Sequence, residues 1–191
     1  GHDLPNLTLV CVVGVDEGLF SADFRAGEKL AQLLIQVAGR AGRADRPGQV
    51  LLQTHHPEHP LLQTLIHGGY HAFAAGELEQ RHAAGFPPFA PMALLRAESP
   101  QADPPMAFLH AARRVLHATS ADTGASMLQL DGPVAAPMPR RAGTYRAQLI
   151  LAADQRPVLH GILDAALPAI HALPEARRAR WSLDVDPVDL Y

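Results

Sequence analysis

The sequence predicts an α/β chain in two parts, the tail of a parallel α/β sheet followed by a small α+β domain. Three observations predict it. The first is a strand–helix–strand run at the start of the chain, and the second is a rigid break at Gly85-Phe86-Pro87-Pro88-Phe89. The third is the change of order beyond that break to β-α-β-β-α-β.

Leu7 to Val13 (LTLVCVV) is a continuous apolar, β-branched run, the pattern of a strand covered on both faces in a parallel sheet. Asp16-Glu17-Gly18 breaks it. From Glu28 to about Gly39, Leu30, Leu33, Leu34 and Val37 fall at i, i+3, i+4 and i+7, one stripe of an amphipathic helix that ends in glycine and arginine. Gln49 to Thr54 (QVLLQT) is a second short strand. Pro60 to Ala84 then reads as helical, with Gly68-Gly69 interrupting it. These signals divide the chain into residues 1–60, a helical connector at 61–89 and a domain at 90–191.

Beyond the break, Met92 to Glu98 is a strand, Pro105 to about His117 a helix, and Met127 to Val134 a strand followed by a proline- and arginine-rich turn. Tyr145, Ala147, Leu149 and Leu151 alternate with Arg146, Gln148 and Ile150, as in a half-buried antiparallel strand. Residues 157 to 172 form the clearest helix, with Leu159, Ile162, Leu163, Ala166 and Ile170 on one face. Trp181, Leu183 and Val185 alternate in a last strand. The order is the split βαβ, or ferredoxin-like, arrangement.

Composition narrows the function. The formal net charge of −3 excludes a globally basic nucleic-acid binder but leaves room for a local basic groove. A single cysteine, Cys11, builds neither a disulfide framework nor a thiolate zinc site, and fits a reducing, cytoplasmic setting. No apolar run approaches the ~20 residues of a membrane span. Gly1-His2-Asp3-Leu4-Pro5 lacks the features of a signal peptide, so the chain is expected to open inside a domain.

Gln36-Val37-Ala38-Gly39-Arg40-Ala41-Gly42-Arg43 is the most specific string. Two guanidiniums three residues apart at a helix end can converge on one anion, while Gly39 and Gly42 let the backbone approach closely and turn without a Cβ clash. Phosphate is the expected guest, because phosphoryl transfer to water gains roughly 10³ to 10⁵ in rate from an arginine placed against the equatorial oxygens. Taken alone, the string serves equally as a glycine-terminated helix with two solvated arginines.

This string matches the QxxGRxGR motif, the sixth, of superfamily-two helicases. Gly1 to Val10 (GHDLPNLTLV) resembles the fifth motif of the PriA-type replication-restart helicases, the primosomal protein N-prime family. Phe20 to Arg25 (FSADFR), Gln53 to Thr64 (QTHHPEHPLLQT), Pro87-Pro88 and Trp181 to Pro187 (WSLDVDP) are similar to strings of that family in the same order.

The resemblance implies a partial RecA-like motor lobe over residues 1–60. Arg43 would be the arginine finger and Arg40 a second γ-phosphate contact. Gln36 and Gly39 would lie against the nucleotide, and Asp3 would belong to the motif coupling ATP state to DNA grip. Family members move 3′ to 5′ on single-stranded DNA and reload the replicative helicase at stalled forks. The implied partners are single-stranded and forked DNA, the acidic tail of single-strand DNA-binding protein and primosome loading proteins. ATP and Mg²⁺ are the implied cofactors of the whole enzyme. Yet no GxxxxGK[ST] loop and no DExH-type motif occurs in the sequence, and phosphoryl transfer needs both. The chain alone is therefore expected neither to hydrolyse ATP nor to bind it tightly. The family's cysteine-rich zinc module is absent too, so zinc is expected only in a region upstream. The reading from another class is a DNA- or protein-binding module without enzymatic work.

Weaker signals remain. His55, His56 and His59 do not have the HExxH spacing of a helical zinc site, and a structural role is expected, with no metal. Arg140, Arg141 and Arg146 with Tyr145, joined by Arg177, Arg178 and Arg180, suit a phosphate-tracking surface with a stacking ring, or ordinary solvated turns. Residues 86–191 hold ten basic and ten acidic side chains, so a DNA groove there requires clustering. Arg156 precedes a helix start, where cations and free N–H groups favour an anion. By resemblance, it and His160 would belong to the pocket for the acidic, phenylalanine-ended tail, although Arg156 serves equally as a solvated side chain.

Overall fold

A computed structural model describes residues 7–21, 23–41, 48–122 and 128–190. It divides into two compact units, residues 1–80 and 81–191. The chain is mixed α/β.

In the first unit, β1 (Leu9–Val12) and β2 (Gln49–Leu52) pair in parallel, with Val10 opposite Val50 and Val12 opposite Leu52. The apolar run of β1 is not covered on both faces as expected. Val10, Val12, Val50 and Leu52 are half-buried, whereas Leu9, Cys11 and Leu51 are exposed. The described sheet has only two strands, and helices cover one side of it.

Asp16-Glu17-Gly18 proves to lie in a short helix, α1 (Val15–Leu19). The expected amphipathic helix is α2 (Ala26–Ala38), but its buried stripe is Leu30, Ala31 and Leu34, with Leu33 46% exposed. Ala31 takes the inward position because Leu30 and Leu34, one turn apart, centre the buried face between them. α3 (Pro60–Ala84) carries the expected interruption at Gly69, whose φ of 72° and ψ of −175° only glycine adopts without strain. Val15, Leu30, Ala31, Leu34, Leu62, Leu65 and Phe73 form the core of this unit.

In the second unit the order is β3 (Met92–Ser99), α4 (Asp103–Asp122), β4 (Gln129–Arg141), β5 (Thr144–Ala152), α5 (Arg156–Ala172) and β6 (Arg180–Val185), with a 3-10 turn at Pro174–Arg177. The sheet order is β4-β5-β3-β6. Every neighbouring pair is antiparallel. β3 is central, and Met92, Ala93, Leu94 and Leu95 are buried on both faces.

The proline- and arginine-rich stretch after Val134 is strand rather than turn. β4 runs through Pro137 and Pro139 to Arg141 because it is an edge strand with irregular register at Asp131/Val134 and Ala135/Arg140, where a missing N–H costs no ladder bond. The turn is Ala142-Gly143, with φ of 49° and 81°, as a two-residue hairpin loop between right-twisted strands demands. The α5 stripe Leu159, Ile162, Leu163, Ala166 and Ile170 is fully buried, packed with Phe108, Leu109 and Leu116 of α4 over Leu95, Leu149 and Leu151. No helix among the described residues is long and apolar enough to cross a membrane.

Candidate functional site

Asp3, Gly42 and Arg43 lie outside the described residues. Gln36, Gly39 and Arg40 stand at the C-terminal end of α2. The helix closes through Gly39 N–H to Ile35 carbonyl (2.9 Å) and Arg40 N–H to Val37 carbonyl (3.0 Å). Gly39 is right-handed (φ −68°), and an added Cβ would touch the Ile35 carbonyl only at an ordinary 3.5 Å. The turn that glycine was expected to permit does not occur at Gly39, where the helix continues its own geometry. Gln36 and Arg40 are both exposed, and their side chains make no hydrogen bond or ion pair with another described residue. A guanidinium at a helix C-terminus is favoured by the axial dipole.

Two carboxylates hold other parts of the unit together, Asp23 at the N-terminal start of α2 and Asp16 in α1. The Asp23 side chain is 1% exposed; its Oδ2 accepts from Lys29 Nζ at 2.9 Å and its Oδ1 from the Arg25 N–H at 3.0 Å. An aspartate whose side chain bonds the backbone two residues on is an Asx turn, and it leads the chain into α2. Asp16 of α1 accepts from the Thr54 hydroxyl and, at 3.1 Å, from the His55 N–H, which ties α1 to the loop after β2. The Thr54 and His55 hydrogen bonds, aided by the neighbouring His55 and His56 rings, hold its carboxyl below the ordinary aspartate range. Phe20 meets His56 edge-on at 4.7 Å and His59 at 5.6 Å. No group of three metal-binding side chains occurs among the described residues.

In the second unit, the β4–β5 hairpin divides the basic cluster between two faces. Arg140 stands opposite Tyr145, its guanidinium 5.1 Å from the ring centroid, while Arg141 stands opposite Thr144. Arg146 follows Tyr145 and so belongs to the other face, opposite Glu98 of β3. Arg177, Arg178 and Arg180 are exposed, and Arg180 lies 3.5 Å from Glu98.

Arg156 is not an open guanidinium. Both of its terminal nitrogens meet the Asp186 carboxylate, one of them at 3.1 Å, so the anion at the start of α5 is supplied internally. His160, one turn on, is exposed. Sequence reasoning also missed Arg96, which reaches from β3 to Asp184 (3.0 Å) and to the backbone carbonyl of Asp189 (2.8 Å).

The whole chain is 48% identical to "Replication restart protein PriA" of Haemophilus influenzae, of which it covers 25%. It is 36% identical to the protein of that name in Treponema pallidum over its full length, and 34% identical to the one in Bacillus subtilis over 98% of it. Of these it covers 28% and 23% respectively. It thus spans about a quarter of the length of the curated relatives it matches. Residues 82–188, the whole of the antiparallel sheet with both its helices, match the family described as the primosomal protein N C-terminal domain, and the chain belongs to that family.

Proposed function

We propose that the chain is part of an ATP-dependent 3′ to 5′ DNA helicase that restarts stalled replication forks. The carrying observation is the QxxGRxGR string, whose first residues form the last turn of α2, in a chain matched along its full length by a replication restart protein. In this reading residues 1–60 belong to the second, RecA-like motor lobe, 61–89 connect, and 90–191 form a ferredoxin-like domain for DNA and protein partners. ATP with Mg²⁺ supplies the phosphoryl group whose transfer to water drives movement. The end of α2 suits that role because the Arg40 guanidinium is exposed and has no partner among the described residues. Arg43 and Arg40 neutralise the charge developing on the γ-phosphate, Gln36 and Gly39 bound the nucleotide, and Asp3 couples its state to the grip on DNA. The phosphate cradle and acidic motif belong to another part of the enzyme, so turnover requires both lobes.

The arginines of the β4–β5 hairpin follow the backbone of single-stranded or forked DNA, and Tyr145 offers the ring face not taken by Arg140. The acidic tail of single-strand DNA-binding protein competes with Asp186 for Arg156, beside His160, and primosome loading proteins are the further partners. A second reading, a binding module without catalysis, is favoured by the missing GxxxxGK[ST] and DExH motifs. The test is to mix the chain with a separately expressed first lobe and measure DNA-stimulated ATP turnover. Turnover that Arg43→Ala abolishes supports the motor reading; verified association of the lobes without turnover supports the module.

A further inference from the structure

On the sheet face opposite the α4/α5 core, six side chains form two rows across three strands. Arg146, Glu98 and Arg180 stand side by side on β5, β3 and β6, and Gln148, Arg96 and Ser182 stand beside them. These residues line a cavity of about 140 Å³. Gln148 is only 5% exposed, and its Oε1 is buried with no hydrogen-bond partner. The Nε–H of Arg96 is likewise buried and unpartnered. Such groups are costly to leave unmade, roughly 1–3 kcal/mol each. Both atoms are shut off from solvent, so a group entering the cavity meets them as the two side chains turn toward it, and it satisfies them by bringing a proton to Gln148 and a lone pair to Arg96.

A backbone phosphodiester carries no proton to give to the amide oxygen, and an alkyl or phenyl group brings neither a proton nor a lone pair. A nucleobase edge carries an N–H beside a carbonyl, and a cavity near the ~150 Å³ that accepts benzene admits one six-membered ring. Three arginines and one glutamate line it, and Arg96 is already neutralised by Asp184 and Asp189, so the charge open to a ligand is that of Arg146 and Arg180 at the rim. Arg146 makes no ion pair among the described residues, and Arg180 is 87% exposed with a loose 3.5 Å contact to Glu98. They flank the opening two strand spacings apart, roughly 10 Å, so that phosphates on either side of an inserted base each meet a guanidinium.

We propose that this cavity is a base-reading pocket: it takes one pyrimidine of single-stranded DNA, with Gln148 and Arg96 on the base edge and Arg146 and Arg180 on the flanking phosphates. The inference rests on the reading that the second unit binds single-stranded DNA.

The test is fluorescence anisotropy of the full chain with a labelled oligothymidylate and an abasic strand of the same length and phosphate count. The thymine strand should bind roughly tenfold tighter. Gln148→Met, which keeps side-chain length and removes the amide, should bring that ratio close to one and leave the abasic affinity unchanged. Arg146→Ala and Arg180→Ala, on partly or fully exposed side chains, should weaken both strands alike and reduce the salt slope by about 0.7 each. Equal binding of the two strands by the unsubstituted chain overturns the pocket alone. So does a Gln148→Met ratio equal to the original, or a failure of both arginine variants to change either Kd. Absence of binding to either strand overturns the DNA reading together with the pocket.

Discussion

The Arg96 guanidinium donates to the backbone carbonyl of Asp189 at 2.8 Å, joining the central strand of the second unit to a residue 93 positions later in the chain. The same guanidinium meets the carboxylate of Asp184 on the neighbouring strand. Arg96→Met removes three hydrogen bonds from a largely buried group and should destabilise the unit by about 1–3 kcal/mol, with Arg96→Lys restoring part of it. Urea unfolding followed through Trp181 fluorescence reads the change; an unaltered midpoint in Arg96→Met refutes this account of the tail.

Asp16 sets a pH dependence in the first unit. Its carboxyl is held below the ordinary aspartate value of 3.8 by the Thr54 and His55 hydrogen bonds, so on acidification the unfolded chain takes up this proton first. The stabilisation is complete above that ordinary value and disappears as pH falls through the lower folded value. Asp16→Asn should flatten stability against pH in this acidic window and leave the slope above about pH 6 unchanged. Denaturant titrations across the range, with the His55 amide followed by NMR, check it. An identical acid limb in the variant would remove Asp16 from the explanation.

Arg156 and Asp186 form a pair that an acidic peptide must open. Asp186 has φ of 57°, a conformation asparagine tolerates, so Asp186→Asn frees the guanidinium with little backbone cost. Affinity for an acidic, phenylalanine-ended peptide should rise roughly two- to fivefold. Arg156→Glu should abolish binding. Calorimetric titration distinguishes this from a remote site, which neither substitution would affect.

The hairpin turn holds a removable strain. Ala142 occupies the left-handed region at φ 49°, beside Gly143 at φ 81°. Ala142→Asn, which installs the Asn-Gly pair favoured in such loops, should stabilise the second unit by about 0.5–1 kcal/mol. A thermal midpoint that fails to rise would mean that the loop relaxes at no cost.

The turn shows where sequence reading reached its limit. The α5 stripe was legible because five apolar residues at helical spacing admit one arrangement, and all five are buried. Pro137 and Pro139 misdirected the reading of β4, since prolines mark turns locally and only the sheet order reveals an edge that tolerates them. Asp23 and Asp16 bond short-range or loop partners that carry no apolar periodicity, and Arg96 finds its acceptors 88 and 93 residues away. At the candidate site, Arg40 and Gln36 were legible from their motif, whereas the partnership of Arg156 with Asp186 depends on how α5 and the end of β6 meet, which no local pattern encodes. Gln148 looked like an outward polar residue of a half-covered strand. Its burial follows from its place opposite Arg96 on one side and Val134 on the other.

The position of β3 has a consequence for synthesis. It is the first strand of its unit to be made, yet both its neighbours come later, β5 at residues 144–152 and β6 at 180–185. Until residues 180–189 have left the ribosome, one edge of β3 has nothing to bond to and Arg96 has no acceptor. The unit is therefore a high-contact-order structure that closes late, and its nascent form exposes a long apolar strand to whatever holds unfinished chains.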